Sequence, residues 1–149
     1  MTDCIFCAIA EGREHGSIVH ADDRALVMLD LFPVRAGHGL VLLRRHVARL
    51  EEMTETEAAH LFNRGRRLIR AQKAAGLPAR AHNLVVNDGP EANQHVPHVH
   101  LHVIPRRGGD TLGTALTWGT RMMNVFGLQS RRARLDRQAA LLAEHFPGE

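Results

Sequence analysis

Three histidines at alternate positions, His98, His100 and His102, are the residues of this sequence best placed to do chemistry. In an extended strand alternate side chains share a face, so three imidazoles would line one side while Val99, Leu101 and Val103 line the other. Successive rings would stand roughly 6.6–6.8 Å apart, from a rise of about 3.3–3.4 Å per residue. Two chemistries suit such a row. One is a three-histidine metal site in which zinc-bound water attacks the substrate. The other is nucleophilic and acid–base work on phosphate. Imidazole titrates near neutrality, so one ring can attack while a neighbour donates a proton. A merely solvent-facing strand draws on Thr, Lys and Glu, not on histidine alone.

A second set of reactive groups lies at the N-terminus. Cys4 and Cys7 form a Cys-x-x-Cys pair and are the only cysteines. The N-terminal Met-Thr-Asp-Cys lacks the basic-then-apolar order of a signal peptide, and no run of 18 apolar residues occurs. The expectation is a cytoplasmic protein without membrane contact, its cysteines reduced or metal-bound. A thioredoxin-like reading needs a strand and then a helix start at the pair, which the neighbouring residues do not signal.

The elements that must position these residues follow from periodicity and punctuation. The 149 residues, 44% hydrophobic, suit one domain with a sizeable core of Leu, Val, Ile and Ala. Strands are predicted at 17–20, 25–29, 38–43, 82–87 and 97–104, the last ended by Pro105. Thr54 followed by Glu57 is a capping-box signal for a long helix over about 55–75, stopped by Gly76 and Pro78. A C-terminal helix is predicted over 131–146, and residues 106–130 read as a mobile loop. The order strands, helix, strands, helix indicates α+β, with a mostly antiparallel sheet of about five strands. The formal net charge of +3 is mild, and its basic runs at 64–70 and 131–137 read as solvated helix faces. Without an RNA-binding signature or aromatic ladder, nucleic acid is not the expected partner, whereas a small anion is.

The run His98-Val99-His100-Leu101-His102-Val103-Ile104 resembles the signature of the histidine-triad (HIT) nucleotide hydrolases and transferases. The segment Asn87-Asp88-Gly89-Pro90-Glu91-Ala92-Asn93-Gln94 is similar to the one that precedes that signature, and Asp30, His38 and Cys4-Ile5-Phe6-Cys7 also match. The resemblance covers about residues 3–110. It implies a HIT-like fold, with a domain core over 1–110 and a flexible loop and C-terminal helix of the same domain over 111–149.

The resemblance also implies roles. His100 would attack the α-phosphorus of a nucleotide, giving a nucleotidyl-histidine that water hydrolyses to a nucleoside monophosphate. Substrates would be dinucleoside polyphosphates or nucleoside phosphoramidates, with adenine as the expected base. His102, Asn87 and Gln94 would donate to the phosphate, and His102 would also supply a proton. Asp30 would hold the ribose hydroxyls, and Ile5, Phe6, Ile9, Leu29 and Leu31 would line the base slot. His38 would support the site. His95 departs from the serine frequent there among phosphoramidases, which bears on the leaving group. Cys4, Cys7, His46 and His98 would hold a structural zinc, with no organic cofactor, and His98 would orient the catalytic strand. A homodimer is expected, with the helix over 55–75 near its interface and Arg64, Arg66, Arg67 and Arg70 on the polar side. Three alternatives stand beside this reading: a zinc-dependent hydrolase using the three histidines, a nucleotide phosphorylase, and a non-catalytic binding protein.

Overall fold

The computed structural model describes residues 4–120 and 127–148. The element order is α1 (Ile5–Ala10), β1 (Ile18–Ala21), β2 (Ala25–Leu29), β3 (Gly39–Leu43), α2 (Glu55–Ala74), β4 (Ala81–Val86), β5 (His100–Arg106), α3 (Thr111–Thr120) and α4 (Leu128–Glu144). The five strands form one sheet in the order β1-β2-β3-β5-β4, and every neighbouring pair is antiparallel. The expected α+β class with a five-stranded sheet, a long helix and a C-terminal helix is what the chain adopts.

The sheet is buried on both faces, which is why β2 and β3 are apolar at every position. Val27, Leu29, Val41, Leu43, Leu101 and Val103 point to one face, where Leu61 and Leu68 of α2 and Leu135, Ala139 and Leu142 of α4 cover them. Leu26, Met28, Leu40 and Leu42 point to the other, against Cys4, Phe6 and Cys7. His100 and His102 are on this second face too, their backbones opposite Leu42 and Leu40. Gly65 lets α2 approach closely, since a Cβ there would stand 2.8 Å from Leu101 Cδ2.

Helix α2 starts where its capping box predicted, with Thr54 and Glu57 each bonding the other's backbone N–H. Arg45 also binds the Glu57 carboxylate and, with the Thr54 amide, holds it at about 2. One basic residue of this helix departs from expectation. Arg64 is not on the solvated side: it is buried, with Nε 2.6 Å from Asp22 Oδ2. Asp22 also accepts from the Arg24 and Ala25 amides and faces His60, so it ties the β1–β2 turn to α2.

The largest departures from the expected elements are four. Strand β5 begins at His100, two residues after His98, and runs through Pro105 to Arg106. Pro105 is tolerated because the pairing with β3 ends at Val103, so β5 has an open edge on that side at Pro105. Helix α4 starts at Leu128. Helix α1, of six residues, follows Cys4 directly; it has no side-chain cap and is mostly buried, so it carries no periodic signal. The expected loop over 106–130 contains α3, and its residues 121–126 lie outside the described residues. Gly113, Gly119 and four threonines are poor helix formers, so tertiary contacts must hold α3.

Burial raises the Asp22 carboxyl, but the two backbone amides, Arg64 and His60 outweigh it and bring the group down to about 2. A depressed carboxylate adds stability above its unfolded value of about 3.9, and that stability is lost as pH falls through the folded value. Asp22→Asn keeps the acceptor oxygen and removes the charge. It should lower unfolding free energy at pH 7 by on the order of 2 kcal/mol and flatten the fall in stability below pH ~4, read by urea unfolding at stepped pH. An unchanged midpoint at both pH values would discard the Asp22 charge as a tie.

Candidate functional site

Because β5 starts at His100, His98 lies in a turn whose amide donates to the Val96 carbonyl. Its ring is fully buried and points back to the N-terminus. His98 Nε2–H donates to the Leu43 carbonyl at 2.9 Å, so Nδ1 is the free-electron-pair nitrogen. That nitrogen is 3.5 Å from Cys4 Sγ and 3.6 Å from Cys7 Sγ, and His46 Nδ1 is 3.3 Å from Cys7 Sγ. All four donor atoms lie within 4.8 Å of one another. Tetrahedral zinc, with bonds of about 2.3 Å to sulfur and about 2.0–2.1 Å to nitrogen, separates a sulfur from a nitrogen ligand by about 3.5 Å. The observed spacings match, so Cys4, Cys7, His46 and His98 fit one zinc ion with all four positions filled. Burial lowers His98 to about 4, against the Leu43 carbonyl and aided by His46 and His100; the ring is therefore in its neutral, ligating form.

His100 is set by the same turn. Its Nδ1 is 2.7 Å from the His98 carbonyl oxygen. A carbonyl only accepts, so Nδ1 carries the proton and Nε2 of the neutral ring is a bare lone pair. His102 is set from the other side. The Val34 amide donates to His38 Nδ1 at 3.1 Å, so the neutral His38 ring carries its proton on Nε2. His38 Nε2 is 3.0 Å from His102 Nδ1, which must then accept, and His102 keeps its proton on Nε2. Two backbone groups thus give adjacent imidazoles opposite tautomers, His100 with its Nε2 unprotonated and His102 with its Nε2 protonated. The rings form a row: Phe6 to His100 is 5.1 Å between centroids, His100 to His102 is 4.8 Å, and His102 to Trp118 of α3 is 5.1 Å.

The triad opens on a cavity of about 290 Å³. Ile5, Phe6, Ile9, Leu29 and Leu31 line it, as do Asp30, Asn87 and His95 with His100 and His102. Its volume and mostly apolar wall with a few convergent polar groups are those of a small-molecule site. Asp30 Oδ1 accepts from the Phe32 amide, and Oδ2 is 3.6 Å from His38 Nδ1.

Two of the expected contact residues stand elsewhere. Gln94 does not line the cavity: its amide is taken up by the Gly89 N–H and the Ala48 carbonyl, which fixes the turn before the triad. Asn93 reaches the cavity in its place, in the left-handed conformation at φ 62°. His38 is fully buried behind His102 and acts only through it. The three triad rings do not converge on one point, and among the described residues the donor groups that do are Cys4-Cys7-His46-His98 and Asp30-His38-His102. In the latter trio the His38 and His102 nitrogens already bond one another. Arg132 of α4 also lines the cavity, and Trp118 packs on both His38 and His102. Neither was legible beforehand, because both lie past the motif and reach it only through the packing of α3 and α4.

The HIT domain family matches residues 11–109 of the chain. This protein belongs to the HIT family. An uncharacterized HIT-like protein of Mycobacterium tuberculosis is 41% identical over 112 residues, covering 75% of this chain and 77% of that one. An Arabidopsis thaliana protein named adenylylsulfatase HINT3 is 32% identical over 141 residues, covering 94% of this chain and 66% of that one. The crystal structure of a zinc-bound histidine triad protein from Mycobacterium smegmatis superposes with a TM-score of 0.71 at 33% identity, covering 91% of this chain and 96% of that one.

In this HIT protein the Cys2His2 group joins α1, the loop after β3 and the turn before β5. Metal binding there should therefore act on folding more than on chemistry. Protein purified without chelator should contain about one zinc per chain by elemental analysis. Cys7→Ser should lose that zinc and lower the thermal midpoint by several degrees. Full metal content in Cys7→Ser would rule out these four ligands.

Proposed function

We propose that this protein is a nucleotidyl hydrolase or transferase, releasing a nucleoside monophosphate from a dinucleoside polyphosphate or a nucleoside phosphoramidate. The observation that carries the reading is the hydrogen bond from His100 Nδ1 to the His98 carbonyl, which leaves Nε2 unprotonated in a residue of the cavity wall. In the first step His100 Nε2 forms a bond to the α-phosphorus while the bond from phosphorus to the leaving oxygen or nitrogen breaks, and the proton on His102 Nε2 passes to the leaving group. In the second step water adds to the phosphorus, its proton passes to the His102 Nε2 vacated in the first, and the phosphorus–His100 bond breaks with its electron pair returning to His100 Nε2. Splitting one displacement into two is the advantage of the covalent route, and fixed donors such as His102 and Asn87 stabilise charge on the phosphoryl oxygens. Asp30 accepts from the ribose hydroxyls at the apolar base slot.

Support comes from the family, whose members include a protein named as an adenylylsulfatase. The donor tautomer of His102 beside the unprotonated Nε2 of His100 is the arrangement that such a displacement needs. Phosphate in place of water as acceptor would make the same enzyme a phosphorylase. A zinc-water mechanism on the triad has no support in the ring geometry.

The active unit is proposed to be a homodimer. β4 is an edge strand, and Leu84 on it and Phe62 on α2 expose apolar surface, 39% and 49% accessible. Sedimentation at micromolar concentration should give twice the 16.6 kDa chain mass. A purely monomeric species would remove the dimer from the proposal.

His100→Ala should reduce turnover of diadenosine triphosphate or an adenosine phosphoramidate by about three orders of magnitude or more, while AMP still binds. With wild-type enzyme, rapid acid quench should trap a nucleotidyl adduct on the peptide holding His100, seen by mass spectrometry. Turnover in the variant at wild-type rates, or an adduct on another residue, would overturn the assignment. Product analysis in phosphate buffer separates hydrolase from phosphorylase.

A further inference from the structure

Outside the HIT cavity the molecule holds a larger one, of about 440 Å³, at the end of the sheet where β5 leaves it. Arg35, Arg106, Arg107 and Arg134 face it together with Asp110. An adjoining hollow that shares Leu77, Pro78 and Arg107 adds Arg80. Five arginines against one aspartate leave four positive charges on this groove, more than the +3 of the entire chain. The basic surplus of the protein is thus gathered here and not spread over its helix faces. The floor is apolar, formed by Pro33, Leu77, Pro105 and Leu135.

The groove is also organised. Arg106 donates to Asp110 Oδ1 through Nε at 3.0 Å and Nη2 at 2.8 Å, and Arg35 donates to the Asp110 carbonyl and to Thr114 Oγ1, each at 3.0 Å. Asp110 is buried, and Arg106 above all, with the Arg107 amide, holds its carboxyl below the usual range. The Asp110 carboxylate thereby orients Arg106, its second oxygen lies 3.6 Å from Arg35 Nε, and the two guanidinium groups keep one positive charge between them. The side chains of Arg80, Arg107 and Arg134 make no hydrogen bond or ion pair among the described residues. Unpaired guanidinium groups around a concave, partly apolar floor match a compact multivalent anion, and their planar forks suit phosphate oxygens.

We propose that this groove is a second ligand site, separate from the HIT cavity, that takes multiply charged phosphate compounds on Arg35, Arg106, Arg107 and Arg134. Its occupation acts on the catalytic face through α3. Arg35 and Arg106 are the anchors of the α3 start at Asp110 and Thr114, and α3 carries Trp118 onto the rings of His38 and His102. Phosphate oxygens accepting from those two arginines compete with Asp110 and so loosen the helix that positions Trp118. The wall residue Leu135 lines both cavities, which places the two sites on opposite sides of one side chain. The site itself stands apart from the nucleotidyl-transfer reading, because none of its arginines belongs to the triad or its cavity.

Inorganic tripolyphosphate is the probe, since it has no nucleoside for the HIT cavity. Calorimetric titration of the full-length protein at low salt should show binding that weakens as salt is raised. Arg107→Ser combined with Arg134→Ser should weaken it at least about tenfold, while Arg107→Lys combined with Arg134→Lys keeps most of it. Both pairs are exposed, so the fold should survive, as circular dichroism will report. ATP, run in parallel, binds more tightly than tripolyphosphate in its variant-sensitive part if the apolar floor takes a base, and equally if phosphates alone are recognised. Trp118 is the only tryptophan, so intrinsic fluorescence reads α3 directly, and its emission should shift on saturation with tripolyphosphate. No binding heat at millimolar tripolyphosphate, or equal binding by the serine variant, would overturn the site. Unchanged Trp118 emission at saturation would overturn its coupling to the catalytic face.

Discussion

The arrangement of the triad face depends on one backbone carbonyl, that of His98. It escapes the sheet ladder because β5 begins only at His100, and it is therefore available to accept the His100 Nδ1 proton. Had the strand run straight through His98, as its alternating pattern suggests, that carbonyl would have faced a neighbouring strand or solvent and the His100 tautomer would have been unfixed. The turn has a second effect. It swings the His98 ring away from its two partners and toward Cys4 and Cys7. One local departure from extended geometry thus sends one histidine to the Cys2His2 group and two to the cavity wall within five residues.

The two sides of the sheet divide the work. Helices α2 and α4 cover one side with close-packed aliphatic side chains, giving the rigid base that a positioned nucleophile needs. The other side carries short α1, the Cys2His2 group and the triad, and it is covered only in part. Without a metal or an equivalent tie, six residues of α1 would be a marginal helix. The cavity takes Ile5, Phe6 and Ile9 from that same helix. The Cys2His2 group and the cavity wall therefore meet in one segment, although they are different side chains.

The C-terminal third shows how context overrides local tendency. Residues 111–120 are poor in helix formers, yet α3 forms, anchored by Asp110 to Arg106 and by Thr114 to Arg35. Asp110 and Thr114 lie beyond the stretch that the HIT family matches, which ends at residue 109, whereas Arg35 and Arg106 lie within it. Arg131, within a run that reads as a solvated basic face, turns inward over the Phe32 ring at 5.4 Å. Arg64 does the same toward Asp22. Charge patterning in a sequence identifies a helix surface, but a long arginine stem lets individual groups reach buried partners.

By itself the sequence determined the elements whose residues carry their own signal. The capping box at Thr54 and Glu57, the apolar runs of β2 and β3 and the order of elements were enough for the α+β sheet. The alternation around His100, with the residues upstream, was enough for the HIT family. Asp30 and Asn87 line one cavity with Ile5, Phe6, Ile9, Leu29 and Leu31. Only the tertiary structure decided which ring nitrogen of these histidines is protonated, because a tautomer is fixed by a partner outside the motif: Val34 for His38, His38 for His102, Leu43 for His98. It also moved Gln94 from the phosphate to the turn, since its amide meets two backbone groups there. Trp118, Arg132 and the basic groove were invisible beforehand for the same reason. Each depends on where a whole helix packs, and that is set by the summed burial of the core and not by any residue near the site in sequence.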